Sequence, residues 1–199
     1  RYADDCNIYV KSQRAGDRVM ESITRFLTKK LKLKVNQEKS AVGKPSKRKF
    51  LGFSFQVLAD QVKRRIAPKA IAAYKDRIRE ITRRNRGVSF KTRINELSRY
   101  ILGWKAYFGF CQTPSVLQRL DEWTRRRLRA VAWKQWKTSR RRFGKLVAGG
   151  AQPAMAAQVA GSSKGTWPLS RTLPIHVAID NATLANLGLP ALLNPIPAA

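Results

Sequence analysis

The sequence predicts an α+β protein in which a small region of strands around one helix precedes a mostly helical region. Before Pro68, short runs in which apolar and polar residues alternate flank one stretch of helical spacing, as expected for half-buried strands beside a helix. After Pro68, apolar residues recur at every third or fourth position over long stretches, which is the pattern of amphipathic helices. This order indicates three regions: 1–67 with strands and a helix, 68–142 with helices, and 143–199 as a C-terminal extension.

The chain opens with two adjacent aspartates, Asp4 and Asp5, ahead of the apolar run 8–10. Asp is a common turn residue, so the pair predicts a strand–turn–strand hairpin. Adjacent carboxylates repel each other unless both are solvated or share a divalent cation. From these residues alone, two interpretations stay open: an acidic surface turn, or a pair of ligands for Mg²⁺.

One helix and two further extended segments are predicted next. The helix is expected to open at 16–17, because apolar residues follow at helical spacing as far as Leu31. Residues 33–36 are predicted to be extended, and 37–46 to be polar and rich in turns.

A half-buried strand is predicted at 49–55, where Phe53 and Phe55 alternate with smaller residues. Gly52 falls inside it and indicates a place where a ligand or another backbone approaches closely, although an ordinary strand glycine is an equal alternative. Residues 60–61 should then turn the chain back into 62–66.

Three long helices are predicted in the second region. Pro68 suits the first turn of one, which should end at the basic turn 83–87. The second is expected at 90–108, and the third from about Pro114. In the extension, 181–187 predicts a short helix capped by Gly188, and His176 is interpreted as structural.

The third helix combines basic and aromatic side chains at steps of three and four residues. Guanidinium and indole planes stack on unpaired bases, while cations bind phosphates. The alternative is that the tryptophans are core residues and the arginines are solvated; this is the preferred interpretation of Trp123, and the two stay equally weighted for Trp133 and Trp136. With the basic turn, the predicted RNA-binding residues are Arg83, Arg84, Arg86, Arg126, Arg129, Trp133, Trp136 and Arg140.

The charge is strongly positive and uneven. The chain has 41 Lys and Arg against 12 Asp and Glu, a net of +29. Residues 1–142 hold 38 of the basic and 11 of the acidic residues, a net of +27. Such a field binds polyanions with a steep salt dependence, so nucleic acid is the expected partner and an anionic membrane surface the lesser alternative.

Other classes of site have little support in the composition. Cys6, Cys111 and a single histidine do not make a zinc site, and so few cysteines fit a reducing compartment. No run of about 20 apolar residues is present, so we expect no membrane span. A cytoplasmic protein is expected, bacterial in the first place and organellar as the alternative.

Several separate stretches, in chain order, resemble the C-terminal half of a group II intron reverse transcriptase/maturase. RYADD at 1–5 resembles the palm hairpin, and KFLGF at 49–53 resembles the block that supports the primer end. The other resembling stretches are LKVN and KS at 33–36 and 39–40 in the palm, 102–108, 120–129 and 133–137 in the thumb or domain X, and 164–167 with 181–189 at the C-terminal end.

The resemblance implies that 1–67 belongs to the polymerase palm, 68–142 to the thumb/maturase domain, and 143–199 to its extension. The parent enzyme would perform RNA-templated DNA synthesis at a two-Mg²⁺ site held in part by Asp4 and Asp5. Tyr2, Lys39 and Gly52 would lie near the primer end and the nucleotide, with a solvated lysine as the alternative for Lys39. The implied partners are group II intron RNA and a DNA primer or target strand; the oligomeric state is left open.

Two departures limit what the resemblance implies. The family's third metal-binding carboxylate has no counterpart in this sequence, and Pro168 follows Trp167 where a basic residue is common. No nuclease segment follows in this sequence, and if Ala199 is the natural end, the chain resembles the endonuclease-lacking lineage. We therefore expect these 199 residues to bind RNA and not to extend a primer by themselves. The alternatives are a non-enzymatic basic RNA- or DNA-binding protein and a degenerate intron remnant.

Overall fold

The computed structural model describes residues 5–58 and 61–193, and the chain forms two compact units, 1–70 and 71–199. Helices dominate, and a three-stranded antiparallel sheet lies in the first unit. The α+β prediction is therefore confirmed. The expectations that fall on residues 1–4, 59–60 and 194–199 lie outside the described residues.

The first unit contains one long helix, a short 3₁₀ helix and the sheet, whose strand order is β1-β2-β3. Its elements are α1 (Gln13–Lys29), the 3₁₀ helix Pro45–Lys47, β1 (Lys49–Phe50), β2 (Phe53–Leu58) and β3 (Gln61–Ile66).

Helix α1 begins earlier than predicted. The side chain of Ser12 caps it by accepting a hydrogen bond from the Ala15 N–H at 3.2 Å, so the start is set by a hydroxyl cap and not by Gly16. Gly16 is buried, and a Cβ there would stand 2.5 Å from Val42 Cγ1. Its role is to let residue 42 pack closely against the helix.

Two segments that were predicted to be extended do not join a sheet. Asp5 makes an isolated β-bridge, and residues 6–10 and 33–36 form neither helix nor strand. Ile8 and Tyr9 stay 50% and 63% exposed. A strand needs a neighbour to pair its backbone N–H and C=O groups, and no described segment pairs with either stretch. The predicted strand after Asp4-Asp5 is therefore wrong.

Gly52 lies in a turn and not inside a strand, which corrects the prediction for 49–55. Leu51 and Gly52 have φ of 50° and 76°, and Phe50 pairs with Phe53 across them. Two positive φ values in a two-residue hairpin loop define a type I′ turn, which favours glycine. The alternation of Phe53 and Phe55 starts only after this turn, so one predicted strand becomes two. The predicted return through 62–66 is confirmed by β3, in which Ile66 pairs with Phe53.

The second unit is built from helices. Helix α2 (Pro68–Ile81) begins three residues before the start of this unit. The helices that follow are α3 (Phe90–Phe108), α4 (Pro114–Gln135), α5 (Ser139–Ala148), α6 (Pro153–Ala160), α7 (Thr166–Leu169), α8 (Leu173–Ala178) and α9 (Asn181–Asn186). The three long helices lie where the sequence predicts them, with prolines at the first turn of α2 and α4. The short helix before Gly188 is confirmed as α9, and Gly188 has φ 97°.

The main core of this unit joins α2, α3 and α4. Tyr74, Ile78, Leu97 and Leu128 are fully buried there. The Tyr74 hydroxyl lies 3.2 Å from Thr124 Oγ1, and burial raises the pKa of Tyr74. The hydrogen bond satisfies a phenol that would otherwise be unpaired in this apolar contact.

A second cluster packs the C-terminal extension against the end of α4. Trp133 is at its centre, and it also contains Leu146, Ala151, Ala156, Leu169 and Ile175. Residues from α5, α6, α7 and α8 thus share one buried cluster with α4. The extension is packed into the second unit and is not a free tail.

Candidate nucleic-acid interface

The predicted metal pair is described only in part. Asp5 is exposed, whereas Asp4 and Tyr2 lie outside the described residues. No three His, Cys, Asp or Glu side chains within 5–58 and 61–193 lie close enough to hold a metal ion. Because Asp4 lies outside the described residues, the two-Mg²⁺ site stays a prediction, and we derive no catalytic step through it.

Lys39 lies in the polar turn that was predicted at 37–46. Its N–H donates to Asn36 Oδ1 at 3.1 Å, and its carbonyl accepts from Arg48 Nη2 at 3.1 Å. The backbone is therefore held, while the side chain is exposed. Contacts of Lys39 or Gly52 with a nucleotide or primer stay predictions.

The basic turn after α2 separates its arginines into different environments. Arg86 donates from Nη1 and Nη2 to the two oxygens of Glu96, at 2.8 and 3.1 Å. Arg84 Nη1 donates to Thr166 Oγ1, while the Arg83 side chain is exposed. Of the three predicted RNA-binding arginines, Arg83 is the one without a side-chain partner among the described residues.

A fully buried arginine organises this turn, and the sequence analysis missed it. Arg93 of α3 donates to the carbonyls of Ile81, Arg83 and Arg86 at 2.8–2.9 Å. Burial, and next the charge of Arg86, lower the pKa of Arg93. Its position on the apolar face of α3, one residue before Ile94, was the available signal.

The basic and aromatic stripe predicted along the third helix is largely buried, which corrects the interpretation of two of its members. The stripe consists of Arg126, Arg129, Trp133, Trp136 and Arg140. Trp133 is 1% exposed, and Arg129 is 4% exposed. Arg129 donates from Nε to the Ile179 carbonyl at 2.8 Å and from Nη2 to Asn181 Oδ1 at 3.3 Å. Neither side chain offers a surface for stacking on bases or binding phosphates in this structure.

The reason is that α4 is covered on two sides. One side is joined to α2 and the residue after it by the hydrogen bonds Tyr74–Thr124 and Arg127–Thr82, and the C-terminal extension covers the stripe. Trp136 is half-buried beside Trp133, with ring centroids 5.9 Å apart. Helical periodicity indicates which residues share a face, but a second buried face is hard to recognise when arginines interrupt it. Arg140 alone of the stripe is exposed, in α5.

Arg126 joins α4 to the extension. Its Nη2 donates to the Trp167 carbonyl at 3.0 Å, its Nε donates to Ser170 Oγ at 3.3 Å, and its guanidinium lies 3.8 Å from the Trp167 ring centroid. Burial, followed by the charge of Arg171, lowers the pKa of Arg126. The predicted basic and aromatic pair exists here, but its partner is Trp167.

A groove of about 540 Å³ lies between α4 and the segment that contains α8 and α9. Its lining combines five arginines with one indole and the single histidine, and the remaining polar groups include two carboxylates. The lining residues are Arg119, Arg125, Arg126, Arg129, Arg171, Trp123 and His176, with Glu122, Asp180 and Asn181.

Trp123 is half-buried and surrounded by cations, so its assignment to the core is only partly right. Arg127, Arg79 and Lys75 lie 5.2, 5.6 and 5.8 Å from its ring centroid. Arg127 is held in place by donating from Nε to Thr82 Oγ1 at 2.6 Å. Cations near an accessible aromatic face are the arrangement used to bind single-stranded nucleic acid.

A membrane-spanning role has no support in the described residues. Within them, no helix is both long enough and apolar enough to cross a bilayer.

Two family models match the chain. Residues 1–55 match the reverse transcriptase (RNA-dependent DNA polymerase) family, and residues 71–147 match the group II intron maturase-specific domain. No curated protein matches the chain significantly. The chain thus combines a reverse transcriptase match with a maturase-specific match, in this order along the sequence. The chain belongs to the group II intron reverse transcriptase/maturase family, which confirms the resemblance found in the sequence.

Proposed function

We propose that the second unit binds intron RNA and supports splicing by stabilising the folded RNA, within a protein whose polymerase region acts on a DNA primer or target strand. The observation that carries this proposal is an excess of positive charge in the second unit that its own acidic residues do not balance. Residues 71–199 contain 23 Lys and Arg against 6 Asp and Glu, a net of +17. A fixed excess of this size attracts a polyanion.

The distribution of partners supports a binding surface. Arg77 and Arg79 pair with acidic neighbours on α2, and Arg86 pairs with Glu96. By contrast, the side chains of Arg119 and Arg171 are exposed and make no hydrogen bond or ion pair with the described residues. These cations are available to phosphates.

The test is a salt titration of RNA binding with the 199-residue chain. About six to ten phosphate contacts should lower the affinity for a structured RNA roughly 10³- to 10⁵-fold between 50 and 200 mM salt, because binding releases condensed counterions. Filter binding or fluorescence anisotropy measures the slope. An affinity that is absent, or unchanged across this range, would contradict the proposal.

RNA-templated DNA synthesis belongs to the proposal at the level of the family, and magnesium is the metal that the family resemblance implies. We also propose a cytoplasmic location, bacterial in the first place. The small number of cysteines supports a reducing compartment.

A further inference from the structure

The groove beside α4 is built from side chains of two kinds. Arg126 and Arg129 are fixed by hydrogen bonds to the extension and form rigid parts of its wall. Arg119, Arg125 and Arg171 line the same groove with side chains that make no hydrogen bond or ion pair among the described residues. The fixed arginines need no further ordering when a ligand binds, and the unpaired arginines are available to contact an anion.

Positive charge in the groove is crowded. Burial lowers the pKa of Arg129, and Arg125 lowers it further; burial and then Arg129, Arg126 and Arg171 lower the pKa of His176.

The two carboxylates in the groove are engaged elsewhere. Glu122 accepts from Gln118 Nε2 at 3.0 Å, and Asp180 accepts from the Thr183 N–H at 2.7 Å. Neither forms an ion pair with the groove arginines. With five arginines and two carboxylates in its lining, the groove keeps an excess of three positive charges.

The size and the lining of the groove suit a ligand larger than a single phosphate. A volume of about 540 Å³ is in the range of sites that bind small organic ligands, about 300–1,000 Å³. Trp123 supplies an aromatic wall, and the cations near it lie at 5.2–5.8 Å from the centroid, compared with 3.8 Å for Arg126 on Trp167. The guanidinium groups of Arg127 and Arg79 thus lie farther from the Trp123 ring than that of Arg126 lies from the Trp167 ring.

We propose that this groove binds an unpaired stretch of RNA, with one phosphate against Arg119, Arg125 and Arg171 and the neighbouring base stacked on Trp123. The inference rests on the proposed RNA-binding function and gives that function a specific site. Unpaired RNA is the occupant because its bases are free to stack, whereas those of a duplex are not.

His176 provides a test in the unmodified chain, since it is the single histidine and gives one imidazole signal. A uridine hexanucleotide should move the NMR titration midpoint of His176 to higher pH, because a phosphate in the groove stabilises the imidazolium. An RNA duplex of equal length, and an acidic peptide of equal charge, should move it much less. Equal shifts from all three, or none from the hexanucleotide, would overturn the proposal.

Variants separate the site from general charge. Arg171→Ala should lower the affinity for the hexanucleotide more than Arg99→Ala, which removes the same charge from an exposed position outside the groove. Trp123→Ala should lower it about fivefold or more, and Trp123→Phe should restore most of the loss. Circular dichroism checks that each variant is folded.

The outcomes distinguish the two proposals. If the unmodified chain binds structured RNA and Arg171→Ala matches Arg99→Ala, the groove is not the site and the general function stands. If the unmodified chain binds no RNA at all, the proposed function itself fails.

Discussion

At the scale of single residues, buried arginines organise the second unit. Arg93 ties the end of α2 and the following turn to α3 through three carbonyls. Its Nε has no partner, so the guanidinium is desolvated without full compensation. Such a group is costly to bury, yet removing it takes one donor from each of three carbonyl groups. The carbonyls of Ile81 and Arg83 keep a second donor in Arg86, at 3.0 and 3.3 Å.

Arg93→Met should therefore destabilise the second unit by about 2–3 kcal/mol. Urea unfolding followed by circular dichroism measures the change in midpoint. Arg99→Met on the exposed side of the same helix is the matched control and should change stability by less than about 0.5 kcal/mol. Equal effects would show that the carbonyl contacts of Arg93 contribute little.

At the scale of elements, a buried carboxylate of α4 holds the last described residues. Asp121 accepts from the Leu192 N–H at 3.0–3.1 Å and from the Leu193 N–H at 3.4 Å. Leu192 is 2% exposed, so these donors have little access to water. Burial raises the pKa of Asp121, and the bonds from Leu192 oppose this.

Asp121→Ala should cost about 1–3 kcal/mol, because two buried N–H groups lose their acceptor. Asp121→Asn keeps an acceptor oxygen and should cost less. Because the folded pKa is raised, the contribution of Asp121 to stability is present below its unfolded pKa and lost as pH rises through the folded value. Asparagine does not titrate, so the stability of Asp121→Asn relative to the unmodified chain should increase as the pH rises from the unfolded to the folded pKa of Asp121. Urea midpoints measured across this pH range test both expectations, and equal costs for the two variants at all pH values would contradict them.

The local sequence specifies the long helices of this chain better than its strands and turns. Helices α2, α3 and α4 are long and strongly periodic, and prolines mark two of their starts, so local signals suffice. The segments 6–10 and 33–36 look extended, but a strand depends on a partner that local sequence does not specify. Gly52 was placed in a strand because a turn residue and a strand glycine look alike without the pairing of Phe50 and Phe53.

For the candidate site, too, some features can be predicted from the sequence, whereas others depend on how the chain packs. The charge excess and the mixture of Arg and Trp on α4 are visible in the sequence, and the groove lies beside this helix. Trp133, for which the sequence leaves the core and RNA-binding interpretations open, is buried beneath the extension, and Trp123, which is interpreted as a core residue, is half-buried and lines the groove. Only the packing of the extension decides between them, and short helices such as α7 and α8 have weak sequence signals.

At the scale of the whole molecule, the two units carry different parts of the family's machinery. We expect the 199-residue chain to extend no primer with Mg²⁺ and dNTPs, since the third metal-binding carboxylate of the family has no counterpart in this sequence. Primer extension on a gel measures this, and RNA binding by the same preparation is the control for folding. Extended product above background would contradict the expectation.

The burial of Trp133 has a consequence for how this protein can evolve. The maturase-specific match ends at residue 147, but the cluster around Trp133 takes in Ala151, Ala156, Leu169 and Ile175. Recombination at residue 147 would separate Trp133 from the residues of the extension that cover it. One product would then have an uncovered apolar surface on α4, and the other would have an extension whose apolar face has no partner. Selection should therefore pass the matched domain and its extension on together, as one heritable block.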